Sequence, residues 1–187
     1  MFAPKRPRST EVMDTLTRMP DRHTLEETER AMKDHVGALP LDFAAANALS
    51  NLFRAANAVR SELTNRVLRQ HDMTWTGFVV LWVVWIWDGM ETRHVAESAD
   101  ISKATLTGVV KTLEARGLIA REGDDNDRRL VRLRLTPEGV SLMEQLYPEF
   151  NAVESEIISQ LSERKVTTFT KTLRDVVNAV EGPEPVE

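Results

Sequence analysis

The sequence predicts a mainly α chain built round a winged helix-turn-helix with a two-stranded β wing. Three observations carry this. Most of the 187 residues fall into apolar repeats of three and four, punctuated by capping residues. "TRHVAESADISKATLTGVVKTLEARG" (92–117) reads as two short helices joined by a tight turn. "LIARE" and "LVRLRL" follow at once, two strand-like runs either side of the turn-forming "GDDND".

The elements follow in order. Residues 1–41 read as an N-terminal extension, beginning with an arm that carries Lys5, Arg6 and Arg8. Ser9 or Thr10 caps a short helix to about Met19, which Pro20 stops. Thr24 and Glu27 form a T-x-x-E capping box for a second helix, ending near Val36 and Gly37. Asp42 caps a long helix from 43 to about 70, with Leu49, Leu52, Phe53, Ala56, Val59, Leu63 and Val67 in one stripe.

Thr74 caps the tryptophan-rich helix 75–88, which is apolar nearly all round and therefore central. Its apolar run, residues 75–87, is 13 residues long, whereas a membrane span needs roughly 20. Thr92 caps a brief helix, 93–99, and Ser102 caps the next, to about Arg116. Asp100 stands at the turn where glycine is usual, and Asp tolerates the left-handed backbone better than most residues. Thr136-Pro137 starts another long helix, in which Pro148 is expected to make a kink or a break. Ser162 caps the last helix, striped by Val166, Phe169, Leu173, Val177 and Val180. The tail, 182–187, is polar and proline-containing.

Composition narrows the function. There is no cysteine, so disulfides, zinc ribbons and thiol nucleophiles are excluded, which fits a cytoplasmic protein. No phosphate-binding glycine loop, nucleophile elbow, metal-ligand set or catalytic dyad stands out, and neither an enzyme nor a cofactor is expected. The net charge is −5, yet residues 91–136 hold nine Lys/Arg against eight Asp/Glu.

The bases in that segment are placed to meet nucleic acid. In the second helix of the pair, Leu106, Val109, Val110 and Leu113 face inward. Ser102, Lys103, Thr105, Thr107, Gly108 and Lys111 take the other side, which is small, polar and cationic enough to enter a major groove. Lys103, Lys111 and Arg132 are assigned mainly to phosphate; Ser102, Thr105 and Thr107 are assigned to bases. Gly108 costs the helix about 1 kcal/mol relative to Ala; either it permits close backbone approach to a partner or it is a tolerated defect. On the second strand Val131, Leu133 and Leu135 take one face, and Arg132 and Arg134 the other. Arg128 and Arg129 stand at the wing tip, where an arginine can enter a minor groove.

The stretch 94–139, "HVAESADISKATLTGVVKTLEARGLIAREGDDNDRRLVRLRLTPEG", resembles the MarR family of bacterial transcription regulators. The likeness lies in Val95-Ala96, Ser102 with Thr105, "LEARGLI" at 113–119, Asp127 with Arg129, and "LTPEG" at 135–139. It implies a MarR-type domain over 42–181. Within it, 42–72 and 149–181 would form the homodimer and 73–136 the winged helix. It also implies that Arg129, oriented by Asp127, reaches the minor groove, that the operator is pseudo-palindromic double-stranded DNA, and that a small aromatic acid or phenol relieves binding. Phe53, Trp75, Phe78 and Trp82 are candidate walls of that effector pocket, and Arg54, Arg60 and His71 candidate anchors.

Three departures from the family pattern stand out. Gly108 replaces a residue that is basic or polar in many members, and 1–41 is extra. Val79 stands where the urate-responsive branch has a pocket Asp, which disfavours urate. Two other readings fit the same residues: a winged helix used as a protein-docking surface, and DNA binding without an effector.

Overall fold

The structure, a computed structural model, describes residues 23–123 and 130–182. The expected helix at 9–19, the wing-tip residues Asp124, Asp125, Asp127, Arg128 and Arg129, and the end of the tail lie outside the described residues. The chain divides into two compact units, Met1–Ala56 and Asn57–Glu187.

The first unit holds α1 (Leu25–Val36) and the beginning of α2 (Phe43–Arg66). Both starts follow from local capping. Glu27 N donates to Thr24 Oγ1 at 3.1 Å, and Thr24 N donates to Glu27 Oε2 at 2.8 Å. The backbone bond from Thr24 holds the Glu27 carboxyl below its ordinary range. Ala45 N donates to Asp42 Oδ1 at 3.0 Å. Asn51 Nδ2 then ties α2 to Glu29 of α1 at 2.7 Å.

In the second unit α2 stops at Arg66, four residues short of its expected end, and a 3-10 turn covers Leu68–His71. Tertiary burial explains the correction. Val67, Leu68 and Met73 are all buried, and a continued α-helix would spread these positions round its circumference. Asp72 closes the turn with φ 49°.

The central helix is α3 (Trp75–Ile86), started by a bond from Gly77 N to Thr74 Oγ1 at 3.0 Å. Phe78, Val80, Leu81, Val83 and Val84 are buried within it. Burying each such side chain contributes roughly 1.5–3 kcal/mol, so α3 anchors the unit.

A two-residue strand, β1 (Met90–Glu91), comes next, and the sequence pattern does not show it. Thr92 is therefore the first residue of α4 (Thr92–Ser98) rather than its cap. Glu91 occupies the cap position without a capping bond, because its carboxylate pairs with Arg93 at 3.0 Å. Asp100 adopts φ 49° in the turn, as its side chain allows. Then come α5 (Lys103–Ala115), β2 (Ile119–Gly123) and β3 (Val131–Leu135).

The sheet is antiparallel, in the order β1-β3-β2. The two expected wing strands thus gain a third, with Met90 opposite Leu133 and Glu91 opposite Arg132. Leu133 is fully buried, which fixes the register, since a one-residue slip would expose it.

Thr136 starts α6 (Pro137–Ile158) by accepting from Gly139 N at 3.0 Å. A Cβ on Gly139 would collide with the Leu118 carbonyl, so only glycine lets α6 lie this close to β2. The helix continues through Pro148 without breaking. Proline removes one backbone bond, but Leu146, Phe150 and Val153 are buried on either side of it and hold the helix together.

The last helix, α7 (Glu163–Glu181), buries no residue; Ser162 stands at its cap position without a side-chain bond. Phe169 and Val177 are 49% exposed and Val180 is 82% exposed. Among the described residues, no helix is long and apolar enough to cross a membrane.

Candidate nucleic-acid interface

The helix α5 is held to the unit by one face. Leu106, Val110 and Leu113 are buried and Val109 is half-buried. Ser102, Lys103, Thr105, Thr107, Gly108 and Lys111, all selected from sequence, are exposed together on the remaining surface. Thr105 N donates to Ser102 Oγ at 3.1 Å, and the two hydroxyls lie 2.8 Å apart. Thr107 Oγ1 donates to the Lys103 carbonyl at 2.8 Å, and Thr112 Oγ1 to the Gly108 carbonyl at 3.1 Å.

A Cβ added at Gly108 would meet nothing within 4 Å. No internal packing calls for glycine there, so any close approach it serves is to another molecule.

The orientation of α5 is set at its far end, where sequence reasoning found nothing. Arg116 Nη1 donates to the Asp72 carbonyl at 2.7 Å, and Nη2 to the His71 carbonyl at 2.9 Å. His71 Nε2 in turn pairs with Glu149 Oε2 of α6 at 2.9 Å. One fork therefore joins the end of α5 to the 3-10 turn, and one side chain joins that turn to α6.

The cations beside α5 fall into two groups. Arg121 pairs with Glu114 at 3.1 Å. Arg132 donates to the Gly89 carbonyl at 3.0 Å and lies 3.8 Å from Glu91. Arg134 donates to Glu122 at 2.7 Å and pairs with Asp88; the Glu122 bond is the largest cause raising its guanidinium pKa. Lys103 and Lys111, by contrast, make no ion pair among the described residues. A cleft of about 300 Å³ lies between α4, α5 and the sheet, lined by Arg93, Lys103, Thr107 and Arg121 among others.

The proposed effector residues do not converge within either unit. Phe53 and Arg54 belong to the first unit, where Phe53 is 67% exposed and Arg54 donates to the His23 carbonyl at 2.6 Å. In the second unit, Arg60 donates to Asn57 Oδ1 at 2.7 Å and His71 is engaged by Glu149. Trp75 and Phe78 join an aromatic cluster with Phe150, in which Phe78 and Phe150 stack at 4.4 Å. Trp82 is half-buried against the core. A larger cavity, about 830 Å³, lies between α6 and α7 and is lined by Val59, Ile158, Phe169, Leu173 and Val177 among others. None of the seven candidates lines it.

A helix pair whose second helix offers a polar face, followed by a β wing, defines a winged-helix DNA-binding protein. Comparison with known proteins agrees. The MarR family profile matches residues 73–131. The HTH-type transcriptional regulator YwaE of Bacillus subtilis (strain 168) is 36% identical over 138 residues, covering 74% of this chain and 81% of that one. The chain belongs to the MarR family of transcription regulators.

Two solved structures extend the likeness. The MepR–DNA complex of S. aureus is 25% identical with a TM-score of 0.64, covering 70% of this chain and 97% of that one. BpsR of Bordetella bronchiseptica, whose DNA binding is regulated by 6-hydroxynicotinic acid, is 26% identical with a TM-score of 0.62, covering 70% and 98%.

Proposed function

We propose that this chain is a homodimeric, ligand-responsive repressor of a pseudo-palindromic operator. The observation that carries the reading is the exposed face of α5, polar and cationic, opposite a buried apolar one. In the dimer two copies of α5 enter successive major grooves about one helical turn apart. Lys103 and Lys111 meet phosphate, and the wing, through Arg128 and Arg129 with Asp127 as orienting partner, reaches the minor groove. The solved complex of MepR with DNA supports this use of the fold.

Dimerisation falls to 42–72 and 149–181. The exposed row Phe169, Val177 and Val180 on α7 supports it, because an apolar face of that length needs a cover. The effector is an aromatic acid or phenol, by analogy with BpsR and 6-hydroxynicotinic acid.

Four measurements test the reading. Sedimentation should find a dimer, and Val177→Asp should shift it to monomer. A mobility shift with DNA flanking the chain's own gene should show retardation that weakens steeply with salt. An Arg129→Ala variant that keeps full operator affinity would sink the wing assignment. Aromatic acids should raise the melting temperature and release DNA.

A further inference from the structure

We propose that α5 reads thymine through its 5-methyl group, and that the row of α5 opposite its buried face holds no side-chain donor for guanine except Lys111, which serves a base only where it leaves phosphate. The inference rests on the DNA-binding function proposed above and specifies its base chemistry. At 100° per residue, the side of α5 opposite Leu106 and Val110 carries Ala104, Thr107, Gly108, Lys111, Thr112 and Ala115, all exposed.

Guanine shows only acceptors in the major groove, N7 and O6, and so needs a donor. Thr107 and Thr112 have committed their hydroxyl hydrogens to the Lys103 and Gly108 carbonyls. Their oxygens can still accept, but they have no hydrogen left to give. Ala104, Gly108 and Ala115 have none. Lys111 is the one donor among these side chains. What the face offers otherwise is methyl groups, and the base edge that matches a methyl is the 5-methyl of thymine. The Ser102–Thr105 hydroxyl pair keeps one hydrogen, at the first turn, off this row.

The space at Gly108 supports the same contact. With nothing within 4 Å of a Cβ, the helix backbone can approach the groove floor and bring the neighbouring methyls down to the bases.

The test begins with selection of a binding duplex from a random pool by the full chain. That duplex is then synthesised with deoxyuridine in place of thymidine in each half-site, which removes only the methyl. Each contacted methyl removed should weaken binding about fourfold. Thr107→Val keeps a methyl and should retain the preference for thymine over uracil. Thr107→Ser loses the methyl, and its preference should fall by a similar factor. Unchanged affinity for the uracil duplex, or selection of half-sites rich in G·C under α5, overturns the inference and leaves DNA binding standing. Selection of no duplex overturns both.

Discussion

The guanidinium of Arg116 donates to the carbonyl of Asp72 at 2.7 Å, fixing the end of α5 to the turn that follows α2. A second bond, to the His71 carbonyl at 2.9 Å, makes the contact a fork that lysine cannot reproduce. Arg116→Ala should destabilise the fold by roughly 1 kcal/mol, since these bonds are solvent-exposed. Operator affinity should fall further than stability does, because the helix loses its set angle. Arg116→Lys should recover part of both. Chemical denaturation together with a DNA titration checks this; equal operator affinity in all three proteins would refute it.

A second relationship concerns the wing. Arg134 joins Asp88, just after α3, to Glu122 on β2. It does so across Gly89, whose φ of 71° strains any side chain and where an added Cβ would come within 2.9 Å of Arg134 Nη2 and displace it. Arg134→Ala should release the wing, leaving the melting temperature almost unchanged and lowering operator affinity. Gly89→Ala should lower both, because it adds backbone strain. Parallel melting and binding curves distinguish the two variants.

The pair of Arg66 with Glu156, at 2.7 Å, predicts a pH response. The hydrogen bond from Arg66 holds the Glu156 carboxyl below its ordinary range. A depressed folded pKa means the stabilisation is complete above the unfolded value and is lost as pH falls through the folded one. Glu156→Gln should therefore narrow its stability difference from the wild type only below the usual carboxylate range. High salt should shrink the difference at neutral pH. A difference independent of both pH and salt would show that the pair contributes through packing alone.

Much of this was legible because it is local. Thr24 with Glu27, Asp42, Thr74, Ser102 and Thr136 each accept from a backbone N–H three residues ahead, so the caps can be read directly from the sequence. The alternation around Leu133 marked the wing for the same reason. What escaped depends on distant partners. Strand β1 exists only because Leu133 and Arg132 pair with it. The early end of α2 follows from burial of Val67 and Leu68, and the unbroken α6 from packing either side of Pro148. His71, chosen from sequence as an acid anchor, meets Glu149 from 78 positions away, a pairing that periodicity cannot reveal. The distant partners of Arg116 and Arg134, and the fit of Gly89 against Arg134, escape the sequence for the same reason.

Gly108 gives the most direct test of whether the exposed face of α5 meets DNA. Its Cβ position is empty, so Gly108→Glu should fold normally and gain helix propensity. It sets a carboxylate against the phosphates, and operator affinity should drop on the order of a hundredfold. The measurement is a fluorescence-anisotropy titration of the selected duplex against the wild type and Gly108→Glu, with melting curves alongside. A collapse of binding at equal or higher melting temperature is the result predicted; unchanged affinity in a folded variant would mean that this face of α5 does not meet DNA.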